Sequence, residues 1–207
     1  KTAPVQWHSS KAFSLPKKSI SSVEEPYDAQ RTVHTLDPIG KAFYRHLLQE
    51  GKPPTSTMSE YGYLKGRRRE AAIKQQLVVA DRLAANHISS DTNSHDMKNA
   101  FASPGFLVMD QVLEPVFRPK DWHFVQQRYK HATTRVPAIG GDIYYSMGSG
   151  SLPGDRIAAE EFRIVFQKKV VEPWIQQDVE GIFAVTCPVT KKSVNIGKSA
   201  YADDLCD

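Results

Sequence analysis

The sequence predicts an α+β fold, and three observations carry that expectation. Four segments repeat apolar residues at helical spacing, at about 38–50, 68–87, 121–132 and 155–171. Short extended runs lie around them, at 11–15, 31–35 and 143–147. The chain has 207 residues, 40% of them hydrophobic, enough for one sizeable domain or two small lobes around a core.

Taken in order, residues 1–35 read as loop-rich and basic, with the first two extended pieces inside them. Pro38 suits a first helical turn, and Ile39, Ala42, Phe43 and Leu47 place one apolar face behind it. Residues 51–57 break that helix. The second helix carries Ile73, Leu77, Ala80 and Ala84 on one face. A polar stretch from Ser89 to His95 leads to Asp96. Asp121 is placed to cap a third helix running to Ala132. Ile143-Tyr144-Tyr145-Ser146-Met147 reads as a strand, and a Gly-rich loop, 148–154, follows it. The fourth helix repeats Ile157, Ala158, Phe162, Val165 and Phe166. Residues 172–193 read as irregular, and 194–200 as an extended run into a tight turn. There is no internal repeat.

Composition narrows the function classes. Charged residues make up 24%, which argues against disorder. The net charge of +4 is a mild bias toward polyanions. Two cysteines, Cys187 and Cys206, exclude a disulfide scaffold and a four-Cys zinc site, and fit a reducing, intracellular compartment. No apolar run reaches membrane-spanning length, so no membrane association is expected. His34, His46, His87, His95 and His123 show no zinc spacing and read as structural or surface. The chain opens without Met and stops on its most chemical motif, so a fragment of something longer is expected.

That motif is Tyr201-Ala202-Asp203-Asp204. Paired carboxylates at the tip of a turn are how a protein holds Mg²⁺ for phosphoryl chemistry. A solvated acidic terminus is the plain alternative. Upstream, Asp96 stands five residues before Phe101, an arrangement equally expected of a strand-end Asp followed by a core ring. Ser151-Leu152-Pro153-Gly154-Asp155 then opens a helix carrying Phe162, as any capped helix after a Gly turn would. Lys65-Gly66-Arg67-Arg68-Arg69 reads equally as a solvated charged face.

Together these segments run Asp-x₄-Phe, Gly-Asp-helix-Phe, Tyr-x-Asp-Asp, an order that resembles motifs A, B and C of the reverse transcriptase palm. Leu15-Pro16-Lys17 looks like that family's first fingers motif and Gln30-Arg31-Thr32-Val33 like its second. Asp37-Pro38-Ile39-Gly40-Lys41-Ala42 and Glu60-Tyr61-Gly62-Tyr63-Leu64-Lys65-Gly66-Arg67 resemble segments of the non-LTR retrotransposon and group II intron branch. The resemblance covers nearly the whole chain. It implies a right-hand polymerase fold, with fingers over 1–87, a truncated palm over 88–207 whose helices pack on a small antiparallel sheet, and no thumb.

The resemblance also implies an activity: RNA-directed DNA synthesis, with an RNA template, a DNA primer and dNTPs as partners. A 3′-hydroxyl attacks an α-phosphate while two Mg²⁺ (or Mn²⁺) ions, about 4 Å apart, stabilise the attacking and leaving oxygens. By resemblance Asp96 and Asp203 bridge those ions, Asp204 is a third, weaker carboxylate, and the Met97 backbone carbonyl adds a ligand. Phe101 would be the steric gate that excludes a ribose 2′-hydroxyl. Lys17 and Arg31 would meet the triphosphate. Gly154 would let backbone approach the nucleotide or template. Lys65, Arg67, Arg68 and Arg69 would follow the template backbone. A nuclear location would follow if the parent is a eukaryotic non-LTR element.

Three departures stand against this pattern. Pro153 takes the place of the family's usual Gln and has no backbone N–H. Ala158-Ala159 replaces a small residue followed by Pro. The stretch before Asp96 is polar where the family has an apolar core strand, which is tolerable only if it is short or at a sheet edge. The hairpin carrying Asp203 and Asp204 is expected to lack its second strand. A catalytically decayed or domesticated domain that binds nucleic acid is therefore the rival reading. A viral RNA-dependent RNA polymerase, which shares the palm, fits Ala202 and Phe101 less well.

Overall fold

The computed structural model describes residues 2–16, 30–57, 59–97, 99–154, 156–177, 184–186 and 188–206. A 3₁₀ turn, Val5–His8, leads into β1 (Ser9–Pro16), then β2 (Gln30–Leu36), α1 (Pro38–Glu50), α2 (Arg69–Ala85) and β3 (Ser94–His95). After them come α3 (Phe106–Leu113), α4 (Pro119–Lys130), β4 (Thr133–Ala138), β5 (Gly141–Ser146), α5 (Arg156–Phe166) and α6 (Glu172–Gln176). The last elements are β6 (Ala184–Thr186), β7 (Ser193–Asn195), β8 (Ser199–Tyr201) and β9 (Asp204–Cys206). The fold is mixed α/β. It divides into two compact units, one of Lys1–Pro53 and Phe101–Phe162, the other of Pro54–Ala100 and Arg163–Asp207. Both units draw on residues from either side of position 87.

The first unit holds a mixed four-stranded sheet in the order β2-β1-β4-β5, with β1 and β4 parallel. Its buried face carries Ala12 and a polar node in which Ser10 bonds both His34 Nδ1 and Thr134 Oγ1, each at 3.0 Å. The α1 start follows its local chemistry. The Asp37 carboxylate accepts from the Gly40 N–H at 2.7 Å, and Pro38 occupies the first turn. The buried residues of α1 are Gly40, Tyr44 and Leu47, while Ile39 is exposed. The expected apolar face is thus rotated, because Trp7 packs on Gly40 so closely that an added Cβ would lie 2.9 Å from the Trp7 Cβ. Asp121 is not the cap of α4. Arg118 occupies that position, and Asp121 pairs with it at 2.6 Å from inside the first turn. Met109 and Leu113 of α3 and Val125 and Tyr129 of α4 are buried.

The second unit holds a small antiparallel sheet in the order β3-β9-β8 and a separate β6–β7 hairpin. The expectation that the terminal hairpin lacks its second strand is corrected here. Residues Asp204–Cys206 form β9, the central strand, paired with β8 on one side and β3 on the other. The polar stretch before Asp96 contributes two strand residues, both exposed, at the sheet edge. That position removes the burial penalty its polarity would otherwise carry. Helix α2 packs against β8 through polar groups. Gln75 Nε2 donates to the carbonyls of Ile196 (2.8 Å) and Lys198 (2.9 Å), and Gln76 Nε2 donates to Ser199 Oγ (2.9 Å). Its buried residues are Ala72 and Val79, so the expected face of Ile73 and Leu77 is exposed instead. The helix expected over 155–171 is α through Phe166 and then winds as a π-turn, Gln167–Val171, before α6. No helix among the described residues is long and apolar enough to cross a membrane.

Candidate active site

Asp96 follows β3 directly, and Asp203 sits in the two-residue turn that joins β8 to β9. Ala202, the other turn residue, has φ +57, a conformation that a tight hairpin turn demands. Since β3 and β9 are neighbours, the sheet brings Asp96 to the hairpin that carries the paired carboxylates. Across the β3–β9 pair the Asp96 carboxyl acts on that of Asp204. Burial pushes the Asp204 carboxyl above its usual range, and the charges of Asp203 and Asp96 push in the same direction.

An open cavity of about 320 Å³ fronts this group. His95, Asp96, Met97, Asp203 and Leu205 line one side, and Phe166 and Val170, at the π-turn, line the other. A π-turn beside a cleft is a common functional placement, because it re-aims side chains within a helix. Asp204 lines another opening, a pocket of about 420 Å³ between α2 and the hairpin. Asp96 and Asp203 therefore share one cavity, and Asp204 reaches Asp96 from the next strand.

Among the described residues, no group of three or more His, Cys, Asp and Glu side chains is arranged to hold a metal ion by itself. Mg²⁺ asks for less than that. It keeps several waters and borrows phosphate oxygens, so one or two carboxylates suffice. Asp96 and Asp203, with Met97 beside them, line one cavity and are the residues that could supply such carboxylates.

The remaining sequence-derived positions fall in different places. Lys17 lies outside the described residues, as do Asp155 and Cys187. Arg31 is in β2 opposite Leu15, and its side chain is outside the description. Phe101 belongs to the first unit, half-buried, with its ring centroid 5.6 Å from that of Phe162. Gly154 has φ +89, and a Cβ there would come within 2.7 Å of the His34 carbonyl. The close approach that requires glycine is thus to β2 of the same unit. Lys65, Arg68 and Arg69 are exposed. Arg67 is not. Its guanidinium donates to the carbonyls of Thr57 and Glu60 and faces the Tyr61 ring, which ties it into the scaffold.

Two further glycines matter to these segments. Gly150 has φ +68, and a Cβ there would fall on the Phe101 carbonyl, 2.5 Å from Ala102 Cα. The loop at 149–151 is clamped to the Phe101 segment by Ser151 N–H to the Phe101 carbonyl (2.9 Å) and Gly150 N–H to the Pro104 carbonyl (2.8 Å). Ser151 also donates to the buried Glu161 carboxylate. Gly62 lies against Ala202 of the β8–β9 turn. Both glycines were visible in the sequence, Gly62 in Tyr61-Gly62-Tyr63 and Gly150 in the Gly-rich loop, but not the backbone that each meets. No protein-family model matches the chain, and no curated protein matches it significantly.

Proposed function

We propose that the chain is the fingers and palm portion of an RNA-directed DNA polymerase of the non-LTR retroelement and group II intron type. The observation that carries this reading is the β3-β9-β8 sheet, which sets Asp96 and Asp203 into one cavity from segments far apart in sequence. A solvated acidic terminus, the plain alternative for Tyr201-Ala202-Asp203-Asp204, has no need of a paired third strand ending on another Asp.

On this reading Asp96 and Asp203 hold Mg²⁺ or Mn²⁺ with help from the Met97 carbonyl. Ions held there would supply stabilisation of the attacking and leaving oxygens of nucleotidyl transfer. Asp204, on the adjacent strand, would add a third carboxylate to the group. Phe101, whose ring packs on Phe162 and whose carbonyl accepts from the Ser151 N–H, would be the steric gate. A ribose 2′-hydroxyl would meet that ring without a hydrogen-bond partner. Lys17 and Arg31 supply charge for the triphosphate, and Lys65, Arg68 and Arg69 for the template. RNA template, DNA primer and dNTPs are the proposed partners.

Pro153 favours a second reading, a decayed domain that binds nucleic acid without extending a primer, because it removes a donor that the family uses beside the nucleotide. Primer extension on an RNA template, with dNTPs and rNTPs in parallel, separates the readings. DNA-only extension supports the polymerase, binding without extension supports the decayed domain, and rNTP incorporation supports an RNA polymerase.

A further inference from the structure

The segment 59–63 is attached to the carboxylate-bearing hairpin by main-chain bonds. Tyr61 N–H donates to the Ala200 carbonyl at 2.8 Å, and Ala200 N–H donates to the Ser59 carbonyl at 2.8 Å. Glu60 thereby pairs with Ala200 in parallel, beside β8 and on the side away from β9. The next residue is Gly62. A Cβ built on it would fall on the Ala202 nitrogen, 2.6 Å from Ala202 Cα and 3.1 Å from the Tyr201 carbonyl carbon. These are backbone atoms, which cannot turn aside as a flexible side chain can. Ala202 in the turn and Tyr63 on the other side of Gly62 both hold positive φ, +57 and +58. Two residues of this kind facing one glycine mark a contact that the surrounding structure enforces.

The enforcement is visible. Thr57 N–H donates to the Glu60 carboxylate at 2.6 Å, and Arg67 grips the Thr57 and Glu60 carbonyls. The Tyr61 hydroxyl donates to Gln75 Oε1 at 2.5 Å, and Gln75 in turn holds the carbonyls of Ile196 and Lys198 just before β8. The segment and the hairpin are thus fixed to the same helix.

We infer that Gly62 is a positioning residue: its bare backbone seats the Ala202-Asp203 turn, and so sets where the Asp203 carboxylate stands in the cavity. Tyr63 follows Gly62 and lies near Asp203 and Tyr201, whose charges add to the rise that burial causes in its phenol pKa. The seat follows from the geometry alone. Its consequence for chemistry rests on the polymerase reading.

The test uses the full chain and two readouts. Amide hydrogen exchange across 199–206 reports the hold on the hairpin, and Mn²⁺ titration followed by electron paramagnetic resonance reports the carboxylates. Gly62→Ala is expected to speed hairpin exchange at least tenfold and to weaken Mn²⁺ binding at least tenfold, with circular dichroism and cooperative unfolding retained. Gly66→Ala is the control, since Gly66 lies just past the same segment but has open space around it. It should leave both readouts within about twofold of wild type. Folded Gly62→Ala with wild-type exchange overturns the inference. If Gly62→Ala does not fold, Tyr61→Phe, which cuts the tie to Gln75, must speed hairpin exchange, and wild-type exchange in that variant overturns it equally. Should the wild-type chain show no Mn²⁺ binding that Asp203→Asn removes, the polymerase reading falls, and exchange alone decides the seat.

Discussion

Asp96, at the end of β3, and Asp203, in the β8–β9 turn, line one cavity, and their charges add to the burial that raises the carboxyl pKa of Asp204 on the strand between. Acids gathered this way repel one another when ionised, at a cost to stability.

Asp204→Asn is therefore expected to stabilise the metal-free chain at neutral pH, since it removes one member of the repelling set and keeps a hydrogen-bonding amide. The gain is modest for a largely exposed group, about 1–2 °C in Tm. The sign with pH is fixed by the raised Asp204 pKa: its contribution to stability is present below the ordinary Asp range and is lost as pH rises through the folded value. The stabilisation by Asp204→Asn should accordingly vanish in acid. Thermal melts from pH 3 to pH 8 measure it, and a variant that is less stable than wild type at pH 7 would remove the repulsion from this account.

Asp96→Asn and Asp203→Asn are each expected to weaken Mn²⁺ binding tenfold or more and, in a chain that extends primers, to abolish extension. The double variant should be little worse than either single one, because both residues serve the same ions. Modest, additive losses would separate the two carboxylates functionally despite their shared cavity.

The Phe101 segment and the 149–151 loop allow a paired comparison. Gly150→Ala adds a Cβ onto the Phe101 carbonyl at a residue already held at φ +68. It should cost more than about 2 kcal/mol. Gly140→Ala, at φ +94 with nothing within 4 Å, should cost only the backbone penalty of about 1 kcal/mol. Urea titrations compare them, and equal losses would mean that the clamp carries no weight. Phe101→Ala should lose about 1–2 kcal/mol of half-buried packing. In an active polymerase it should also raise rNTP use relative to dNTP use about tenfold.

The parts of this fold legible in the sequence are those whose signals are local. Asp37 and Pro38 mark the start of α1, and the Tyr-x-Asp-Asp turn marks the hairpin. What was not legible depends on distant partners. The inward side of α2 presents Gln75 and Gln76, which satisfy carbonyls more than a hundred residues away, so its apolar periodicity points outward. The run Phe106–Leu113 is nearly uniformly apolar and offers no period to read. Pro137 disguised β4, yet β1 pairs only as far as Arg135, so no partner on that side needs the missing N–H. For the site, motif order placed Asp96 beside Asp203, but Gly62 owes its role to an approach of backbone to backbone, which no spacing rule records.

The last prediction concerns nucleic acid. Lys65, Arg68 and Arg69 are exposed on one segment, whereas Arg67 in their midst is tied to the Thr57 and Glu60 carbonyls. The four basic residues should therefore separate by phenotype. Single-stranded RNA is expected to bind weakly, given a net charge of only +4, and with affinity that falls steeply as salt rises. Replacing Lys65, Arg68 and Arg69 together by Ala should weaken binding and lower the salt slope by about 2, close to 0.7 per lost phosphate contact on a single strand. Thermal stability should hardly change, because exposed charges contribute little to it. Arg67→Ala should do the reverse. Two carbonyls lose their donor and Glu60, whose carboxyl pKa burial already raises, loses a favourable charge, so stability should fall by about 1–3 kcal/mol. Its salt slope should stay that of the wild type in whatever fraction remains folded. Filter binding from 50 to 300 mM salt, run beside thermal melts, reads both. A salt slope unchanged in the triple variant would take the 65–69 segment out of nucleic-acid contact, and an Arg67→Ala that stays stable while lowering the slope would put Arg67 on the ligand after all.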